Sequence, residues 1–139
     1  MGRYRRPLFR ATPLGDKYPT VDFLVDVLGS QDVSLGFFFV QVKGTAGPAA
    51  GGRLPVQVSR DRFNLLARLP APSYLIGVNV SAELSYVVAA HKPTKVHVSS
   101  VPKAYCLSDD AVRIVLYKEV LAFWKANRPM LQQTKFKDD

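Results

Sequence analysis

The chain alternates between short apolar runs of strand length and two stretches of helical spacing. VDFLVDVL, Val21 to Leu28, sets Phe23, Val25 and Val27 on one face and Asp22, Leu24 and Asp26 on the other, which predicts a strand. Turn residues follow from Gly29 to Asp32, and GFFFVQVK from Gly36 to Lys43 is a second β-rich run, so the pair predicts an antiparallel hairpin. The segment GTAGPAAGG, Gly44 to Gly52, is a loop, and Leu54 to Val58 is a third short strand. Ser59 caps a helix to about Leu69 that Pro70 and Pro72 stop. The nearly continuous apolar YLIGVNV, Tyr74 to Val80, suits a buried central strand; Leu84 to Ala90 follows, and Val96 and Val98 suggest an edge strand. A second helix starts at the N-cap Ser108, repeats Val112, Val115, Leu116, Val120 and Phe123 at helical spacing, and ends at Asn127 and Pro129.

The order predicts one α/β domain with a mixed sheet, residues 20–128. Residues 1–19, broken by Pro7, Pro13 and Pro19, read as an irregular basic arm, and residues 129–139 as a flexible tail. At 139 residues the chain suits a single core, and 47% hydrophobic against 22% charged residues excludes the composition of a disordered chain.

Charge changes the picture. The net charge of +8 favours a polyanionic partner, nucleic acid first, because clustered Lys and Arg bind phosphates and release counterions. Cys106 is the single cysteine, so neither an intrachain disulfide nor a cysteine zinc site forms, and the compartment reads as reducing and cytoplasmic. No signal-peptide core follows the basic N-terminus and no run approaches a membrane span, so no membrane association is expected. A homodimer is compatible with the sequence.

Three polar residues interrupt the strands. Asp22 opens the first and Gln41 and Lys43 close the second, so the hairpin brings an acid, an amide oxygen and an amine to one end of the sheet. That set suits metal-assisted phosphodiester hydrolysis: Mg²⁺ takes hard oxygen ligands, which Asp22 and the Gln41 carbonyl supply, and Lys43 orients or deprotonates the attacking water or stabilises the transition state. Nine of the eleven acids are Asp, so such a site draws on Asp. Asp26 shares the Asp22 face two pleats along and is at most an outer ligand. Arg60 and Arg62 on the first helix, and Arg68 near its end, are candidate contacts to a nucleic-acid backbone. His91 and His97 have no second ligand at metal spacing; Cys106 reads as a small hydrophobe, and Phe37, Phe38 and Phe39 as core and sheet-face residues.

Asp22, eighteen residues, then Gln41-Val42-Lys43 resembles the Asp…(Asp/Glu/Gln)-x-Lys signature of the PD-(D/E)XK nuclease superfamily. The string VDFLVDVLG…LGFFFVQVKGT is similar to a bacterial domain-of-unknown-function branch of it with a Q-x-K-G-T strand, and the likeness extends over roughly residues 20–90. The resemblance implies a restriction-endonuclease-like fold with an αβββαβ core, dependence on Mg²⁺ or Mn²⁺, and DNA as substrate. It makes Asp22 and Gln41 the metal ligands and Lys43 the catalytic lysine. The sequence departs from the family before the first strand, where a helix often carries a Glu; residues 1–19 contain no Glu and only Asp16 as an acid. A site with fewer ligands, a site completed by a partner chain, and a fold without catalysis all remain open, the last as an inactive module that binds nucleic acid or protein.

Overall fold

In a computed structural model, which describes residues 7–46 and 51–138, the chain is an α/β protein with seven strands and two helices. The strands are β1 (Phe9–Pro13), β2 (Phe23–Leu28), β3 (Ser34–Thr45), β4 (Arg53–Val58), β5 (Ser73–Asn79), β6 (Leu84–Ala89) and β7 (Val98–Pro102). Helix α1 (Arg60–Ala67) lies between β4 and β5, and α2 (Asp110–Asn127) follows β7. Five strands form a mixed sheet in the order β1-β2-β3-β5-β6, in which β3 and β5 are parallel and every other pair is antiparallel.

The expected hairpin is present as β2–β3, with Phe23 opposite Val40 and Val25 opposite Phe38. The crossover from β3 through α1 into β5 follows from the parallel pairing, which no tight turn can make.

Several expectations need correction. The segment read as an irregular arm carries β1, the outer strand of the meander: Phe9 and Ala11 face the sheet's apolar cavity, and Arg10 lies opposite Asp26 and pairs with it at 3.5 Å. Pro13 is tolerated because β1 is an edge strand. The strand at 53–58 does not extend the meander. The far side of β3 belongs to β5, and β4 pairs instead with β7 in a separate two-stranded sheet, where Pro55 sits opposite Ser100. The segment after Asn127, read as a flexible tail, begins with a 3-10 turn over Arg128–Gln133.

The sheet is covered on both faces. Helix α2 packs Leu116 and Val120 on Val25, Phe38, Val40, Tyr74 and Val87. Its long-range hydrogen bonds to the sheet include Tyr117 Oη to the Leu28 carbonyl and Trp124 Nε1 to the Phe37 carbonyl, both 2.7 Å. A side chain at Gly36 would overlap the Trp124 indole, so glycine at this β3 position is what lets the helix end reach the sheet. The opposite face is covered by α1 and the β4–β7 ribbon, with Leu54, Val58, Leu66, Leu75 and Val101 all 2% exposed or less.

Ser59 caps α1 as expected, accepting from the Arg62 N–H at 3.2 Å. At α2 the cap is Asp109, whose carboxylate accepts from the Ala111 N–H at 2.9 Å; the expected cap, Ser108, instead meets Cys106 Sγ at 3.0 Å. Asp is as good an N-cap as Ser and carries the charge the helix dipole favours, which explains the shift by one residue.

Candidate functional site

The site is built at the entry to β2 and the far end of β3. The register of β2 and β3 carries Asp22 to the level of Gln41, and the Asp22 N–H donates to the Val40 carbonyl at 2.8 Å. Its carboxylate Oδ2 accepts from the Val42 N–H at 2.6 Å. Val42 is the residue between Gln41 and Lys43, so the acid is fastened within one residue of each.

Thr20 sets that approach. Its φ of +66° lies in the left-handed region, unusual for a β-branched residue and worth about 1–3 kcal/mol of strain. The Thr20 hydroxyl donates to the Arg62 carbonyl of α1 at 2.9 Å, which ties the turn before Asp22 to the helix. Nothing in the local sequence marks Thr20, because its role depends on a helix 42 residues away.

Gln41 is 3% exposed, and its side-chain Oε1 is enclosed without a hydrogen-bond donor. A buried amide oxygen in that state forgoes a stabilising bond, and it is an acceptor suited to a donor or a cation. Phe39, Gln41 and Lys43 alternate onto the face of β3 that packs toward α1 and β4, with Gln41 opposite Leu75 and Lys43 opposite Gly77 of β5. Lys43 is partly exposed and makes no ion pair among the described residues. With Asp22 exposed and one of its oxygens engaged, the strand register places Asp22, Gln41 and Lys43 at one end of the sheet.

Asp26 is not an outer ligand of this set. Its carboxylate accepts from Ser34 Oγ at 2.7 Å and pairs with Arg10 at the other end of β2, a structural role in joining three strands. Among the described residues no group of three or more His, Cys, Asp or Glu comes together as a metal cluster.

The two candidate arginines separate. The backbone of Arg62 is held by Thr20 and Ser59. Arg60 instead lines a groove of about 710 Å³ with Arg68 and Lys95, between α1 and the segment before β7. Asn64 clamps that segment: its Nδ2 donates to the Thr94 carbonyl at 3.1 Å and its Oδ1 accepts from the Thr94 N–H at 2.8 Å. Asp61 is the one acid on the groove and lies 3.5 Å from Arg60, both well exposed, so the pair holds Arg60 only weakly. Arg68 was a candidate with Arg60, whereas Lys95 was hidden in sequence because 27 positions separate it from Arg68 and its segment is brought to α1 through the Asn64 clamp.

On the opposite face, Tyr74 of β5 donates its hydroxyl to Glu119 Oε2 of α2 at 2.5 Å. Burial, reinforced by the hydrogen bond and the charge of Glu119, pushes the Tyr74 phenol far above its usual range. The sign for stability follows: the unfolded phenol ionises near pH ~10 while the folded one keeps its proton, so this contribution is complete below that pH and is lost as pH rises. Wild-type protein is expected to lose stability in denaturant titrations above about pH 10, and Tyr74→Phe to flatten that loss; an unchanged slope in the variant counts against the pair.

Fold and polar set together define a mixed α/β protein whose one sheet end combines an acid, an amide and an amine, beside a cationic groove on α1. The chain matches no family model, no curated protein and no solved structure. No helix among the described residues is long and apolar enough to cross a membrane.

Proposed function

We propose that the protein is a divalent-metal-dependent nuclease of PD-(D/E)XK type, with a restriction-endonuclease-like fold and DNA as its substrate. The observation that carries this reading is the 2.6 Å bond from the Val42 N–H to Asp22, which gathers the acid, Gln41 and Lys43 at one sheet end. The strand sequence supports it too: a three-strand antiparallel meander, a crossover helix and a strand parallel to the third reproduce the βββαβ part of that core, with β4 inserted before the helix.

The donor set fits Mg²⁺ or Mn²⁺ chemically, since the unengaged Asp22 oxygen and the unpaired Gln41 carbonyl are hard oxygen ligands. A bound ion supplies charge neutralisation at the scissile phosphate and a more acidic water. The Val42 bond holds Asp22 in place. Lys43 stands two residues from Gln41 on the same face, where an amine hydrogen-bonds the attacking water or a phosphate oxygen. Arg60, Arg68 and Lys95 offer phosphate contacts that position a backbone without reading bases.

A second reading is a nucleic-acid-binding module without turnover. It is favoured by the enclosure of Gln41, whose amide is a ligand only if the side chain swings out of the core, and by the lack of a cluster of three or more His, Cys, Asp or Glu among the described residues. Incubation of the purified protein with supercoiled and linear DNA in Mg²⁺ or Mn²⁺ separates the two. Cleavage that Lys43→Ala abolishes supports the nuclease. Absence of cleavage with both metals ends that reading, and the module then requires salt-sensitive binding weakened by Arg60→Ala and Arg68→Ala, each lowering the salt slope by about one.

A further inference from the structure

Two abutting cavities run along one side of α2, of about 580 and 650 Å³. Ala111 and Val115 line the first, Phe123 lines the second, and Glu119 lines both; these residues recur every four positions and so form one stripe of the helix, ~18 Å long at ~1.5 Å per residue. The facing wall is β6 and the segments beside it, with Tyr105 at one end and Pro70 and Pro72 at the other. The result is one long apolar groove. Tyr74 forms its floor midway, bonded to Glu119. Among the lining residues Glu119 is the one acidic side chain, and none is a lysine or arginine.

The groove is exposed where it should anchor a partner: Val115 is 64% and Tyr105 55% accessible. An occupant must therefore present apolar side chains and a cation. The same chain carries such a segment immediately after α2. Met130, Leu131 and Phe136 are 63%, 77% and 96% exposed, the last among the most exposed large hydrophobics a folded chain can show, and Lys135 and Lys137 flank Phe136. The segment passes from the 3-10 turn into extended chain after Gln133, and Met130 to Phe136 spans a length comparable to the groove.

The geometry points to a reciprocal homodimer in which the C-terminal segment of each copy, Met130 to Lys137, lies in the α2–β6 groove of the other, with Phe136 and Leu131 as apolar anchors and a lysine beside Glu119. The arrangement is isologous: both copies give a segment and receive one, so a two-fold axis closes the assembly and covers the exposed apolar side chains. Charge complementarity selects this occupant. The chain is strongly cationic overall, and faces of like charge repel, whereas the groove offers a carboxylate to a lysine-bearing segment. The dimer does not depend on the nuclease reading.

The test is sedimentation of the full-length protein and two variants. Val115→Asp alters the groove and Phe136→Asp the segment; both positions are exposed, so circular dichroism should be unchanged. The wild-type chain is expected to sediment as a dimer and each variant to dissociate more than about tenfold more readily, the effect of losing one anchor. Mixing the variants is decisive: one carries an intact segment and the other an intact groove, so a heterodimer held by a single interface should appear only in the mixture. A wild-type monomer at its highest soluble concentration overturns the proposal, as do variants that dimerise like wild type or a mixture that stays monomeric.

Discussion

Asp22→Asn is expected to leave the protein folded and, on the proposed nuclease reading, to lower Mg²⁺-dependent DNA cleavage by about 10²–10³-fold, the rate equivalent of several kcal/mol of lost charge stabilisation. The reason lies in the two tasks of this side chain. As a hydrogen-bond acceptor it satisfies the Val42 N–H at 2.6 Å, and an asparagine oxygen does the same. As a carboxylate it brings an acid to the level of Gln41, and asparagine does not. Asp22→Ala loses both, so it should show the same loss of cleavage together with a destabilisation of about 0.5–1.5 kcal/mol from the lost hydrogen bond to the Val42 N–H. Denaturant midpoints and cleavage rates measured on both variants separate the tasks. Equal cleavage by Asp22→Asn and wild type would exclude Asp22 from the chemistry, and equal stability of Asp22→Ala and wild type would show that the Val42 bond holds nothing.

Gly77→Ala is expected to destabilise the protein by about 1–3 kcal/mol, although it adds a single methyl group to a strand. The added carbon would lie 2.6 Å from Val101 Cγ2 and 3.2 Å from Leu54 Cδ2, both in fully buried side chains of the β4–β7 ribbon. The ribbon rests on the main sheet at this point because Gly77 has no side chain. Val101→Ala alone removes a buried branched side chain and should cost about 2 kcal/mol. In the double variant the alanine at 77 fills space vacated at 101, so the combined loss should fall short of the sum by about 1 kcal/mol. Urea unfolding of the four proteins measures that coupling; strict additivity would mean that the ribbon does not sit on Gly77. The substitution also bears on the site, since Lys43 lies opposite Gly77 in the β3–β5 register.

Much of the architecture is legible in the chain. The alternation from Phe23 to Val27 and from Phe38 to Val42 identifies the β2–β3 hairpin, and its register follows because a one-residue slip would turn Val25 and Phe38 out of the core. The apolar run at 74–78 marks an interior strand, which lies between β3 and β6 and is not the middle one, and the spacing of Leu116 and Val120 marks the helix that covers the sheet. β1 was not legible, since three prolines and a cluster of arginines mask a strand that needs only two inward residues, Phe9 and Ala11, at a sheet edge. β4 shows a regular buried-exposed alternation through Leu54, Val56 and Val58, which identifies a strand and says nothing about its partner.

The same division runs through the site. The sequence by itself determined that an acid, an amide and an amine fall at the ends of two consecutive strands, because strand period and hairpin connection are local properties. Only the tertiary structure decided what those groups are free to do. It gave Asp26 to Ser34 and Arg10, fastened Asp22 to Val42 through a strained Thr20 held by α1, enclosed Gln41 beneath the second layer, and joined Arg60 to Arg68 and Lys95 across the Asn64 clamp. Each of these depends on residues far apart in the chain, where pairing and burial are set by the packing of layers and leave no local periodicity to read.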